Sequence, residues 1–217
     1  MRTITTEDYI KAIYKLQPGG EKVTTSALAA QLQLADASIT NMIKKLSEKG
    51  LIHYERYRGV GLTARGKRMA LKIVRRHRLW EMYLVKFLGF SWDQVHSEAE
   101  RLEHVTSEGL EQRLDHALGF PTTDPHGDPI PSVQGALTNP EFTSLTEYGV
   151  GDVVRVLRVS DDDSQMLQHA SKLGVGLNKK LTVREKRTFD GSMVVRVGTK
   201  EQFMSLKMAR AIFVRPV

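Results

Sequence analysis

Between Val95 and Asp115 the sequence sets His96, Glu100, Glu103 and His104 at spacings i, i+4, i+7 and i+8. On one continuous helix over 94–115 these side chains project at about 0°, 40°, −20° and 80°, a stripe about 100° wide. Val95, Ala99, Leu102 and Leu110 cannot all share that stripe. Two carboxylates and two imidazoles packed on one face are costly unless a cation compensates them. His77 and Glu81 form another i, i+4 pair upstream, and Asp8 adds a carboxylate near the start of the chain. The sequence contains no cysteine, which excludes disulfides, thiol catalysis and thiolate metal sites. Oxygen and nitrogen donors of this kind favour Mn(II) or Fe(II), and also admit Zn(II), Co(II) and Ni(II).

No catalytic apparatus accompanies these donors. A His-Glu-x-x-His pair is missing, and so is the Glu-x-x-His repeat of di-iron bundles, because Arg101 stands three residues before His104. P-loop, dinucleotide and Gly-x-Ser-x-Gly signatures are missing too. A metal without such machinery points to sensing. Two other readings compete: a metal-binding enzyme or storage protein that uses its N-terminal domain for protein contacts, and a metal-independent DNA-binding protein whose acidic stripe packs against the C-terminal domain.

The elements that must position these donors follow from pattern. Thr5 or Thr6 can cap a first helix carrying Tyr9, Ile10, Ile13, Tyr14 and Leu16, stopped by Pro18-Gly-Gly20. Thr24-Thr-Ser26 opens a short helix. A turn follows, with Asp36 as expected N-cap of a helix over about 37–49. That helix puts Ile39, Ile43 and Leu46 on one face, and Ala37, Ser38, Thr40, Asn41, Lys44 and Lys45 towards the other. Leu51–Glu55 and Gly61–Thr63 read as a hairpin with tip Arg56-Tyr-Arg-Gly59, followed by a long basic helix from Ala64 through Leu88. Helix, turn, helix and basic hairpin are the winged helix-turn-helix layout. Ser38, Thr40 and Asn41 suit base edges, Lys44 and Lys45 suit phosphates, and Arg56 and Arg58 suit backbone or minor groove.

Charge agrees with this division. Of the net +7, residues 1–76 hold 15 basic and 6 acidic side chains, a net of +9, and the remaining 17 basic and 19 acidic side chains leave −2. The basic end suits a polyanion such as double-stranded DNA. Residues 92–128 hold 9 acids, 2 arginines and 4 of the 7 histidines. Five of the seven prolines lie between 121 and 140, an ordered but non-helical linker. Beyond it, β-rich runs at 153–159, 181–184, 193–197 and 211–214 predict a small all-β, barrel-like domain. Apolar runs fall far short of the roughly 20 residues of a membrane helix. With no signal-peptide pattern at the N-terminus, a cytoplasmic location without membrane association is expected.

Several segments together resemble the iron- and manganese-dependent regulators of the diphtheria toxin repressor type. They are Thr6-Glu-Asp-Tyr-Ile10, Tyr54-Glu-Arg-Tyr-Arg-Gly59, Leu62-Thr-Ala-Arg-Gly66, Arg76-His-Arg-Leu79, Val95-His-Ser-Glu-Ala-Glu-Arg-Leu-Glu-His104 and Gly127-Asp-Pro-Ile-Pro131. The resemblance covers essentially the whole chain. It implies a mainly α fold with a small β domain: a winged helix DNA-binding domain over 1–73, a helical dimerisation and metal-binding domain over 74–141, and an SH3-like (FeoA-type) barrel over 148–217. It further implies a homodimeric, non-enzymatic transcriptional repressor that binds a palindromic operator when Mn(II), or Fe(II), is bound, and controls metal-uptake genes. Carried over by motif, the principal metal site falls on Asp8, His77, Glu100, Glu103 and His104. Iron-sensing members usually have Met and Cys where this chain has Asp8 and Glu100, so the chain resembles the manganese-sensing branch. Lys11 stands where one manganese subclass has Glu, which weakens the case for that subclass's two-metal cluster. A secondary site falls on Glu81, Asp124, His126 and Asp161, with His96 nearby. Asp124 replaces a family Cys, and Asp162 or Asp163 could take the register of Asp161.

Overall fold

The computed structural model describes residues 5–17, 20–138 and 140–217. Two compact units emerge: Met1–Arg76 with Glu103–Val105 and Pro131–Ala136, and His77–Leu102 with Thr106–Ile130 and Leu137–Val217.

The first unit begins with α1 (Thr6–Leu16), capped by Thr5. The Thr5 hydroxyl accepts from the Asp8 amide, and the Asp8 carboxylate accepts from the Thr5 amide at 2.6 Å. Each group thus satisfies an end donor of the helix. α2 (Thr25–Leu32) is capped by Thr24. α3 (Asp36–Glu48) buries Ile39, Ile43 and Leu46. Its N-cap is Ala35 rather than Asp36, and no side chain caps it. Asp36 already belongs to the first turn, where its carboxylate faces the positive end of the helix dipole. β1 (Ile52–Glu55) and β2 (Gly59–Leu62) pair antiparallel, so Gly59 belongs to the second strand and Arg56–Arg58 form the tip. Val23 adds a bridge to Val60. That close approach explains Gly59, since a Cβ there would lie 2.4 Å from the Val23 carbonyl oxygen. The helices and the hairpin share a core that includes Ile10, Ile13, Leu28, Ile39, Ile43, Leu46 and Val60.

α4 (Ala64–Leu88) contains the residue boundary between the units. The helix expected over 94–115 is two helices: α5 (Val95–Leu102) and α6 (Glu108–Leu118). Glu103 and His104 lie in the turn after α5, so the single-stripe geometry does not hold for them. Two side chains explain the break. Ser107 caps α6 by accepting from the Leu110 amide, and the Thr106 hydroxyl donates to the Leu102 carbonyl at 2.6 Å. α5 buries Val95 and Ala99 against Leu84.

The C-terminal part of the second unit is a six-stranded antiparallel sheet in the order β3-β8-β4-β5-β6-β7. Its strands are β3 (Thr143–Ser144), β4 (Val153–Val159), β5 (Lys180–Lys186), β6 (Met193–Val197), β7 (Lys200–Met204) and β8 (Ile212–Pro216). The domain is not all-β. α7 (Ser164–Lys172) and α8 (Leu206–Arg210) cover the core, with Leu167, Ala170, Met208 and Ala209 buried. Bulges after Val156 and Val183 interrupt the register, the local device that bends a sheet towards a barrel.

Candidate metal centres and nucleic-acid interface

Within the first unit, the N-terminal turn of α1 and the 103–105 turn bring acid and imidazole together. Asp8 uses Oδ2 in the cap, accepting from the Thr5 amide and hydroxyl at 2.6 and 2.8 Å. That leaves Oδ1 facing His104 Nε2 at 3.1 Å. Glu103 Oε1 lies 3.4 Å from the same nitrogen. Glu7 Oε2 lies 2.6 Å from His104 Nδ1, on the other side of the ring. Helix capping therefore orients a carboxylate for a second task, and Glu7 holds the imidazole that faces it. Glu103 is fully buried, and the Lys11 ammonium donates to both of its oxygens at 2.9 and 2.6 Å.

The second unit holds a cluster of its own. Glu81 Oε1 lies 2.9 Å from His77 Nε2, 3.3 Å from His96 Nδ1 and 4.0 Å from His126 Nε2. His77 Nε2 lies 3.1 Å from His96 Nδ1. Asp161 Oδ2 comes within 3.9 Å of His96 Nδ1, and Glu100 Oε1 within 3.9 Å of His96 Nε2. His77, Glu81 and His96 offer donor atoms that all lie within 4.8 Å of one another. Burial by itself raises the Glu81 carboxyl pKa. The charge on His77 and hydrogen bonds from His77 and His96 outweigh it and hold the group well below the usual carboxylate range. Burial pushes the His126 imidazole pKa down against the pull of the Glu81 charge, so the ring favours the neutral form that ligates metals.

Three atoms of this centre are buried without a hydrogen-bond partner: Glu81 Oε2 and both ring nitrogens of His126. A buried polar atom left unpaired carries a desolvation cost of about 1–3 kcal/mol. A divalent cation would satisfy oxygen and nitrogen acceptors together, so these residues fit one.

The chain segment carrying His126 is shaped for its place. Gly127 has φ +95°, and a Cβ there would stand 2.0 Å from the Leu157 carbonyl oxygen. The Val159 amide donates to the His126 carbonyl at 2.9 Å, and the Trp92 ring stacks on the imidazole with centroids 5.7 Å apart. Asp128 joins Arg78 and Arg158 in ion pairs at 3.2 and 2.8 Å.

The predicted residues therefore sort unevenly. Asp8, Glu103 and His104 converge. His77, assigned from sequence to the principal set, points its Nε2 at Glu81 and His96. Glu81 lies between His96 at 3.3 Å and His126 at 4.0 Å, and Asp161 is the member of the acidic run that faces His96, at 3.9 Å. Asp162 instead accepts from Ser160, and Asp163 caps α7. Asp124 does not aim at the cluster: its Oδ1 accepts from the His126 and Asp128 amides, and its Oδ2 lies 3.3 Å from Arg78. Burial and the neighbouring charges of Glu81 and Asp128 raise its pKa well above the usual range. In this structure Asp124 shapes the loop through Oδ1. Sequence reasoning missed Glu7 and the Lys11–Glu103 pair. Glu7 was detectable as the neighbour of Asp8 in the helix cap; a buried lysine carries no local signal.

On α3, Ala37, Ser38, Thr40, Asn41, Lys44 and Lys45 are all exposed opposite the buried face. Thr40 donates its hydroxyl to the Asp36 carbonyl at 3.0 Å. At the hairpin tip Arg56 and Arg58 are exposed. The Arg56 guanidinium lies 4.9 Å from the ring centroid of Tyr57, itself 91% exposed. Glu55, held below its usual pKa by Lys22, lies 3.5 Å from Arg58.

Comparison with known proteins agrees with this division of labour. Residues 1–60 match the family described as iron dependent repressor, N-terminal DNA binding domain. Residues 63–132 match its metal binding and dimerisation domain, and residues 143–216 match the FeoA domain. The iron-dependent repressor IdeR of Mycobacterium leprae is 31% identical over 98% of this chain and 97% of its own length. The chain belongs to the iron-dependent repressor family. The repressor is also similar to a solved structure described as "Manganese-dependent transcriptional repressor complex with manganese", at 39% identity and TM-score 0.89, covering 98% of this chain and 100% of the other. Another, described as "Crystal Structure of ScaR with bound Zn2+", is 29% identical, with TM-score 0.82 over 99% and 100% of the two chains. The repressor is thus a metal-dependent transcriptional regulator and not an enzyme, with a winged helix DNA-binding domain, a helical dimerisation domain and an SH3-like C-terminal domain. Among the described residues, no helix is long and apolar enough to cross a membrane.

Proposed function

We propose that this repressor acts as a homodimer in the cytoplasm, with Mn(II) as corepressor and Fe(II) as competitor, and controls metal-uptake genes through a palindromic operator. The observation that carries this reading is the convergence of Asp8 Oδ1 and Glu103 Oε1 on His104 Nε2, at 3.1 and 3.4 Å. Hard carboxylate oxygens with one imidazole favour Mn(II) over ions that prefer thiols. The similarity to a repressor solved with manganese supports the same choice, whereas the name of the mycobacterial relative supports iron.

The proposed ligands of the principal ion are Asp8, His77, Glu100, Glu103 and His104. Those of a second ion are Glu81, His96, His126 and Asp161, with Asp124 holding the loop. The domains are proposed to run over 1–73, 74–141 and 148–217. When bound, a divalent cation supplies the charge that lets these carboxylates sit close together. Asp8 lies at the start of α1 in the DNA-binding domain, so restraining it restrains the helix that packs with α2 and the hairpin. Two recognition helices related by a two-fold axis then meet successive half-sites through Ser38, Thr40 and Asn41, while Ala37 packs near base methyl groups. Lys44, Lys45, Arg56 and Arg58 contact the backbone.

Operator binding, read by fluorescence anisotropy with Mn(II), Fe(II), Zn(II) or chelator, tests the reading. Coupling of about 1–3 kcal/mol makes operator affinity roughly 5–150-fold tighter with the corepressor. Binding indifferent to chelator defeats it, as does a normal metal response from Glu103→Ala or His104→Ala.

A further inference from the structure

Lys11 lies on α1 with 4% exposure, and its ammonium spans both oxygens of the fully buried Glu103 at 2.9 and 2.6 Å. A buried carboxylate is costly without a compensating cation, and Lys11 supplies that charge. Those two oxygens are also the ones Glu103 would offer a metal. An ammonium hydrogen-bonded to both competes for their lone pairs, and a fixed positive charge nearby repels a second cation.

We propose that Lys11 is a tethered place-holder for the metal, a resident monovalent cation that neutralises Glu103 in the ion-free protein and must release it, wholly or in part, when a divalent ion binds. Lys11 thereby sets the free-ion concentration at which the repressor responds. It does so without choosing among ions, because releasing Glu103 costs the same whichever ion takes it. The inference rests on the reading of Glu103 as a metal ligand.

Calorimetric titration of the full-length protein with Mn(II), and separately with Zn(II), tests it in wild type, Lys11→Met and Lys11→Arg, alongside thermal denaturation in chelator. Lys11→Met fills a similar volume without charge. It should tighten Mn(II) binding about tenfold or more, equivalent to about 1.4 kcal/mol, and tighten Zn(II) by a similar factor. Its melting temperature in chelator should fall, because the buried Glu103 carboxylate loses the ammonium that neutralises it. Lys11→Arg retains a cation and should keep the wild-type affinity. Should Lys11→Met fold poorly, Lys11→Gln, which can still donate to one oxygen, should show intermediate tightening. Unchanged or weaker binding in a folded Met or Gln variant overturns the proposal, and so does tightening for one ion only. Failure of the wild type itself to bind either ion overturns the metal reading beneath it, a result read before any variant is compared.

Discussion

The Trp80 indole N–H donates to the Thr106 hydroxyl at 2.7 Å, and that hydroxyl in turn donates to the Leu102 carbonyl at 2.6 Å. One buried side chain therefore both ends α5 and holds a tryptophan of α4. The residues between Leu102 and Thr106 include Glu103 and His104. Thr106→Val keeps the shape and removes the hydroxyl, so the part-buried Trp80 indole N–H and Leu102 carbonyl lose this partner. The expected destabilisation is about 1–3 kcal/mol, with weaker Mn(II) binding by calorimetry and recovery of both in Thr106→Ser. A Val variant with wild-type melting and metal affinity would deny the bond this role.

Gly127 makes a second prediction. A Cβ at its φ of +95° meets the Leu157 carbonyl at 2.0 Å, so Gly127→Ala must move the loop or β4. The destabilisation should be about 2 kcal/mol or more. Because His126 is the preceding residue, the variant should also bind fewer ions per subunit. Melting temperature and metal content by mass spectrometry check the two effects. Retained stoichiometry would separate His126 from metal binding.

The exposed face of α3 predicts different roles for two neighbours. Lys44→Ala should weaken binding to all DNA sequences and flatten the slope of log affinity against log salt by about 0.9 for each phosphate no longer neutralised. Asn41→Ala should relax preference at one base pair and leave the salt slope intact. Anisotropy titrations over a salt series, with operator and scrambled DNA, distinguish them; the reverse pattern would exchange the two assignments.

Acid sensitivity of the C-terminal domain should depend partly on Asp190, whose carboxylate accepts from the Ser192 amide and hydroxyl at 2.9 and 2.8 Å. These bonds lower its folded pKa. Its stabilising contribution is therefore present above the unfolded value near 3.9 and lost as pH falls through the folded value. Asp190→Ala should melt earlier than wild type at neutral pH, and the gap should close on acidification in chelator. A gap that widens would contradict the sign.

α1, α3, the hairpin and α4 were readable because apolar periodicity and Gly or Pro punctuation act over a few residues. The division of 95–118 into α5 and α6 was not. No Gly or Pro stands between Leu102 and Glu108, and the break relies on the hydroxyls of Thr106 and Ser107. Similarly, α7 was not anticipated after the strand at 153–159, although Asp163 caps it. β7, Lys-Glu-Gln-Phe-Met, has little strand character and exists through its pairing with β6.

Residue order alone settled the donor chemistry, oxygen and nitrogen with no thiol, the basic reader at one end, and the order of the domains, because each follows from composition or short-range pattern. Folding decided which side chains stand together. It set Lys11 against Glu103 across 92 positions of sequence, turned His77 towards Glu81, and gave both oxygens of Asp124 to the loop and Arg78. Such pairings come from burial and long-range packing, where unlike charges must meet once water is removed, and no local spacing encodes them.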